Sequence, residues 1–161
     1  MISARFVDVD LERPRYRMTA THRFTPRLQA GLEWNPKAGE VGFIGNYILT
    51  TETDKRPMIN LGTSSDRIGT PPGPHAYYIT FAKGIPALKA SVYVSLNYSE
   101  HDQRFNLPFG VTLGLAERWD AMYMMDGVRS HLLLTYKGDS FNVSAMMIWL
   151  KRPGISVSWG F

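Results

Sequence analysis

Ser130 stands directly beside His131, and this pair invites nucleophilic chemistry. A serine nucleophile needs a base within hydrogen-bonding reach and a third group that orients the base. Neighbours on one strand project to opposite faces, and spacing identifies no companion acid. Hydrolysis is therefore an alternative rather than the leading reading. His22, His75 and His101 are scattered at spacings that converge on no metal. The chain has no cysteine, which removes thiolate ligands, a cysteine nucleophile and disulfides. The run GTPPGP at 69–74 lacks the Lys-Ser/Thr pair and following helix of a phosphate-binding loop, and its prolines make a stiff connection. No cofactor and no metal are expected.

The basic residues offer a second chemistry. Arg15, Arg17, Arg23, Arg27, Lys89, Arg129 and Lys137 fall mostly opposite the apolar residues of the segments that carry them. Gathered on an inner surface, they would attract anionic sugar chains or small anions. They could equally pair with Glu33 and other acids and fill the interior, as side chains do in narrow barrels. Lys and Arg number 18 against 14 Asp and Glu, a formal charge of +4, with a pI of about 9.4. No dense Lys/Arg run stands out, so nucleic acid is not an expected partner. Met122, Met124, Met125, Met146 and Met147 read as apolar filler.

The elements that must position these residues alternate with period two, the signature of strands. In FNLPFGVTLGL, Phe105, Leu107, Phe109, Val111, Leu113 and Leu115 alternate with small or polar residues. ALKASVYVSLNY, RLQAGLEW, YRMTATHRF and SFNVSAMMIW repeat the pattern, although Met146 and Ile148 make the second side of the last segment apolar as well. Turn chemistry separates the runs at 25–27, 35–40, 53–57, 69–74, 83–86, 99–103, 126–127, 137–139 and 151–154. AERWDAMYMMDG fits either a short strand entering an Asp-Gly turn or a helical turn over 116–122. No linker or second domain interrupts residues 1–161.

Such alternation suits a soluble barrel with its apolar faces inward or a membrane barrel with them outward. The faces opposite the apolar ones are rich in Gly, Ser, Thr and Asn, which suit a narrow hydrogen-bonded lumen better than a solvated exterior. Aromatic residues also cap the apolar faces: Tyr16, Phe24, Trp34, Tyr98, Phe105, Phe141 and Trp149 form the expected girdle. Tyr16 to Phe24 and Phe141 to Trp149 each span about 26 Å of strand, or roughly 20 Å of height after tilting. The expectation is an all-β, antiparallel, up-and-down transmembrane barrel of about 10 to 12 short-looped strands. Its immediate partners would be membrane lipid or detergent. A soluble, lipocalin-like barrel binding an apolar ligand is the competing reading.

The last residues place Ile155, Val157, Trp159 and Phe161 on one face, with Gly and Ser between them. This ending resembles the C-terminal assembly signal of bacterial outer-membrane barrels, which implies the barrel-assembly machinery as a partner. RFTPRLQAGLEWNP and RPMINLGTSSDRIGTPPGPHAYYITFAKGI resemble the YjbH-like outer-membrane family associated with exopolysaccharide production. That resemblance implies a small non-enzymatic barrel with a structural or narrow transport role, linked to envelope polysaccharide. In size class the chain also resembles outer-membrane lipid A deacylases, for which Ser130 and His131 would be the residues to consider. The implied location is the bacterial outer membrane; MISARFVDVD does not have the pattern of a secretory signal.

Overall fold

The computed structural model describes residues 1–160, and Phe161, the last member of the expected assembly face, lies outside them. Thirteen strand segments follow one another: β1 (Ile2–Val7), β2 (Tyr16–Arg23), β3 (Leu28–Asn35), β4 (Glu40–Thr50), β5 (Met58–Ser65), β6 (His75–Ile85), β7 (Ala90–Ser99), β8 (Arg104–Asn106), β9 (Phe109–Ala116), β10 (Trp119–Met125), β11 (Ser130–Lys137), β12 (Phe141–Ile148) and β13 (Arg152–Trp159). A four-residue helix, α1 (Glu12–Arg15), joins β1 to β2. Among the described residues no helix is long and apolar enough to cross a membrane.

Every strand pairs antiparallel with its neighbour, and β1 pairs with β13 to close the circuit. Short β8 and longer β9 both pair with β7 and together occupy one position in the wall. The break at Leu107–Pro108 has a simple cause, since Pro108 has no N–H for the ladder. Its carbonyl still accepts from Ser95 N at 2.7 Å. The result is a closed, twelve-stranded antiparallel barrel with no free edge.

Cross-strand partners share a face, so register fixes which side chains face outward. Ile2 opposes Trp159 and Ala4 opposes Val157, while Ser3 opposes Ser158 on the inner side. The apolar set is outside: Leu113 is 45% exposed, Leu32 56% and Trp159 64%. Thr19, Glu33, Ser95, Asn97 and Ser99 on the inner faces are buried. The lipocalin-like arrangement is thereby overturned, because the bulky side chains are not enclosed.

Alternating strand direction sorts the connections onto two rims. The near rim holds the N-terminus and the turns at 24–27, 51–57, 86–89, 117–118 and 138–140. The far rim holds the connections at 8–15, 36–39, 66–74, 100–103, 126–129 and 149–151. Aromatic side chains gather toward both. Near the terminal rim, Trp119, Tyr136, Phe141 and Trp159 form a row with successive centroids 5.2, 6.2 and 6.3 Å apart. Toward the far rim, Phe6 meets Tyr16 at 5.3 Å and Tyr98 meets Phe105 at 5.3 Å. Trp34 is exposed on the outer side of β3, and Phe24 is exposed in the turn that follows β2.

Trp149 departs from the expected girdle. It belongs to the turn after β12, not to the strand, and both Trp149 (φ 56°) and Leu150 (φ 55°) are left-handed. The alternation ends at Ile148, so the indole swings inward. There it joins Ile68 and Leu133 against the buried cluster Val7, Val9, Met146 and Ile148. This cluster also explains the second apolar side of SFNVSAMMIW. Two boundaries differ from the sequence expectation. β6 continues through Ile85, so the turn is at 86–89 rather than 83–86, and β13 already begins at Arg152. Of the two readings of AERWDAMYMMDG the strand holds: residues 116–122 form the end of β9, a two-residue turn and the start of β10, which runs into the Asp126–Gly127 turn.

Candidate functional site: the lumen and its far-rim closure

Arg5 on β1 and Arg17 on β2 are direct cross-strand partners on the inner wall. Arg17 donates to Glu33 Oε2 at 2.5 Å. Asn35 Nδ2 and Ser65 Oγ donate to Glu33 Oε1 at 2.9 and 2.5 Å, so this fully buried carboxylate is satisfied on both oxygens. A buried carboxylate without such donors would be costly. Arg5, Arg13, Arg17 and Glu33 line a cavity of about 280 Å³ whose other walls include Asp66, Asp126, His131 and Met146. Arg5 Nε, Arg13 Nη1 and Arg17 Nε are buried without a hydrogen-bond partner among the described residues. Three guanidinium groups thus carry unused donors around one cavity.

Above it, residues 66–74 fold over the far mouth as a lid. Arg13 holds them from α1. Its Nη2 faces the carbonyl oxygens of Asp66 (2.7 Å) and Arg67 (2.5 Å) and the Thr70 hydroxyl (2.6 Å), and its Nε donates to Thr70 O at 3.1 Å. Arg67 in turn grips Asp102 with both terminal nitrogens. Asp66 accepts from Ser99 Oγ at 2.5 Å. Gly69 (φ 102°) lies so close to Trp149 that an added Cβ would be 2.9 Å from the indole. Arg67 holds the Asp102 carboxyl below the usual aspartate range. Burial acts to raise the Asp126 carboxyl, but donors from His131, Arg129 N and Val128 N outweigh it and hold that group low as well.

Below the lid the lumen opens on its other side into a recess of about 300 Å³. Tyr78 and Tyr93 flank it, with Thr80, Ser95 and Asn97 between them. Thr80 and Ser95 hydroxyls lie 2.7 Å apart. Each tyrosine ring lies across a glycine of the adjacent strand, Tyr78 over Gly62 and Tyr93 over Gly110, where a Cβ would collide with it. The missing side chains let the rings lie against the wall. Flat aromatic faces beside hydroxyl and amide groups suit a sugar ring, which is apolar on its faces and polar at its edge.

The seven basic residues expected on the inner surface do not form one patch. Arg17 lines the main cavity. Lys89 and Lys137 line a separate recess of about 370 Å³ toward the near rim, where Lys137 pairs with Asp120 at 2.7 Å. Arg23 ends β2 and Arg27 sits in the turn after it, both exposed at the near rim. Arg15 is displaced from the lumen because it ends α1 and lies 5.9 and 6.0 Å above the Phe6 and Tyr16 rings. Arg129 belongs to a far-rim turn and stacks on Trp149 at 4.5 Å. Arg5 was legible from its place between Ser3 and Val7 opposite Ile2, Ala4 and Phe6. Arg13 was not, since a connection has no periodicity.

Ser130 and His131 lie on opposite sides of the wall. Ser130 Oγ meets the Tyr123 hydroxyl at 2.9 Å, whereas His131 faces inward with Nε2 2.9 Å from Asp126. Its Nδ1 accepts from Trp149 N at 3.4 Å. They cannot share a proton, so the serine hydrolase arrangement is absent. Among the described residues no group of three or more potential ligands could hold a metal ion.

No family model matches the chain, and no curated protein does. Solved structures do match. A KdgM porin superposes with a TM-score of 0.63 at 14% identity, over 99% of this chain and 97% of that one. A NanC porin, solved in a rhombohedral crystal form, gives 0.61 at 12% identity over 99% and 98%. At these identities the likeness is one of fold: the chain has the barrel of these porins.

Proposed function

We propose that the protein is a non-enzymatic, narrow channel of the bacterial outer membrane that passes small anions or anionic saccharide units. The observation that carries this reading is the cavity beneath the lid, where Arg5, Arg13 and Arg17 present unpartnered donors inside a barrel whose exterior is apolar. A low-dielectric wall concentrates the field of those charges on the lumen. The porin fold of the similar structures supports a transport role and an outer-membrane location. Outward Ile155, Val157 and Trp159 on β13 form the face offered to the assembly machinery, with lipid as their later neighbour. A link to envelope polysaccharide rests on the YjbH-like resemblance alone, to which the comparisons add nothing.

The test is reversal potential across a planar bilayer under a KCl gradient. Preference for chloride is expected, reduced toward no selectivity in Arg5→Ser/Arg17→Ser. Cation preference, or selectivity unchanged by that double variant, would defeat the reading. A second reading is a sealed structural barrel, favoured by the interlocked lid. It predicts no conductance in the parent or in Arg13→Ala.

A further inference from the structure

Two of the arginines that line the lid cavity lack a counter-charge of their own. Arg17 pairs with Glu33 and Arg67 with Asp102, but Arg5 and Arg13 have no carboxylate within 4.0 Å among the described residues. The other acids bordering the cavity are engaged. Asp66 accepts from Ser99 Oγ and Arg67 N, and Asp126 from His131, Val128 N and Arg129 N. Register also sets Arg5 directly opposite Arg17. Like charges so placed repel, and a buried charge without a partner is costly. Arg13 is only 4% exposed, and its Nη1 has no hydrogen-bond partner.

Arg13 belongs to two structures at once. Its Nη2 and Nε hold the lid at Asp66, Arg67 and Thr70, while Nη1 is left over. The cavity is divided in the same way. Asp66, Arg67 and Ile68 of the lid wall one part of it, and Arg5 and Arg17 of the barrel wall another. It keeps this form only while the lid is closed.

We infer that the cavity binds one phosphate-sized oxyanion between Arg5 and Arg13, and that the bound ion holds the lid shut. The inference rests on the lumen reading above and adds a regulator to it. Guanidinium forks match the paired oxygens of such an ion, a geometry that chloride cannot use. A space of about 280 Å³ admits the ion with several waters at about 30 Å³ each. An ion that meets Arg13 and is enclosed by the lid binds the closed state better than the open one. Linkage then shifts the lid toward closure.

Calorimetric titration of the detergent-purified full chain with inorganic phosphate, at constant ionic strength in NaCl, tests the site. One phosphate per barrel is expected, with sulfate competing and added chloride not. Arg5→Ser and Arg13→Ser should each weaken binding by about tenfold or more, whereas Arg118→Ser, which removes a near-rim partner of Asp139, should leave it unchanged. Arg13→Ser also loosens the lid, so Arg5→Ser, on β1, carries the test of the site. Amide hydrogen exchange over residues 66–74 should slow about fivefold or more when phosphate is added to the parent, and should not slow in Arg5→Ser. No phosphate binding by the parent, equal weakening by Arg118→Ser, or binding that leaves lid exchange unchanged would overturn the inference. So would an effect obtained with glucose 6-phosphate alone, since an esterified phosphate would then be the ligand. The reversal potential separates the failures: chloride preference without phosphate binding removes only this site, and absence of both removes the channel reading with it.

Discussion

Arg13 directs its guanidinium at four acceptors on three lid residues, Asp66, Arg67 and Thr70, and makes no contact with a carboxylate there. Hydrogen bonds from a charged donor contribute about 1.5 to 3 kcal/mol each, and their acceptors are left short when the donor is removed. Arg13→Ala should therefore release the lid while leaving the barrel intact, raising single-channel conductance. Unchanged conductance would show that Arg13 does not control the mouth. Glu33 makes the opposite case: its carboxylate is shared by Arg17, Asn35 and Ser65, and it offsets part of the positive wall. Glu33→Gln should increase chloride selectivity and lower stability by about 3 kcal/mol, measured by thermal unfolding in detergent. Sequence made Arg17 and Glu33 visible together, because both lie on alternating strands opposite apolar residues. It gave no means of seeing that Arg13 would cross from one connection to another 53 residues away.

The lid is held by ionised side chains, so it should respond to acid. Asp102, which Arg67 of the lid grips, titrates below ordinary aspartate in the folded protein. A group with a depressed folded pKa contributes stability above its unfolded value of about 3.9 and loses that contribution as pH falls through the folded value. Lid openings should therefore be constant between pH 7 and 5 and become more frequent below about pH 4, as read from single-channel recordings. The tight turn after β12 is a second element under load. Left-handed Leu150 costs roughly 1 to 2 kcal/mol relative to an unstrained residue. Leu150→Gly should unfold at a higher temperature than Leu150→Val, whose β-branch worsens the same strain; the reverse order would remove this account of the turn. Alternation was easy to read within strands because the outward face is bulky and the inward face small. It failed at Trp149 and Pro108 for local reasons, a left-handed turn in one case and a missing N–H in the other.

Closing the sheet on itself pairs the backbone of every strand, and this leaves side-chain chemistry to decide what surrounds the barrel. The exterior carries Ile2, Leu32, Phe43, Leu115 and Trp159, all more than half exposed, while buried Glu33, Asn35 and His131 are inside. A water-soluble protein would have the reverse arrangement. The most direct measurement is tryptophan quenching by lipids brominated along their acyl chains, using variants that retain a single indole. With Trp34, Trp119 and Trp149 replaced by phenylalanine, Trp159 should be strongly quenched. A variant retaining only Trp149 should be protected by the lid. Protection of Trp159, with quenching of Trp149, would contradict the outward orientation of the apolar face.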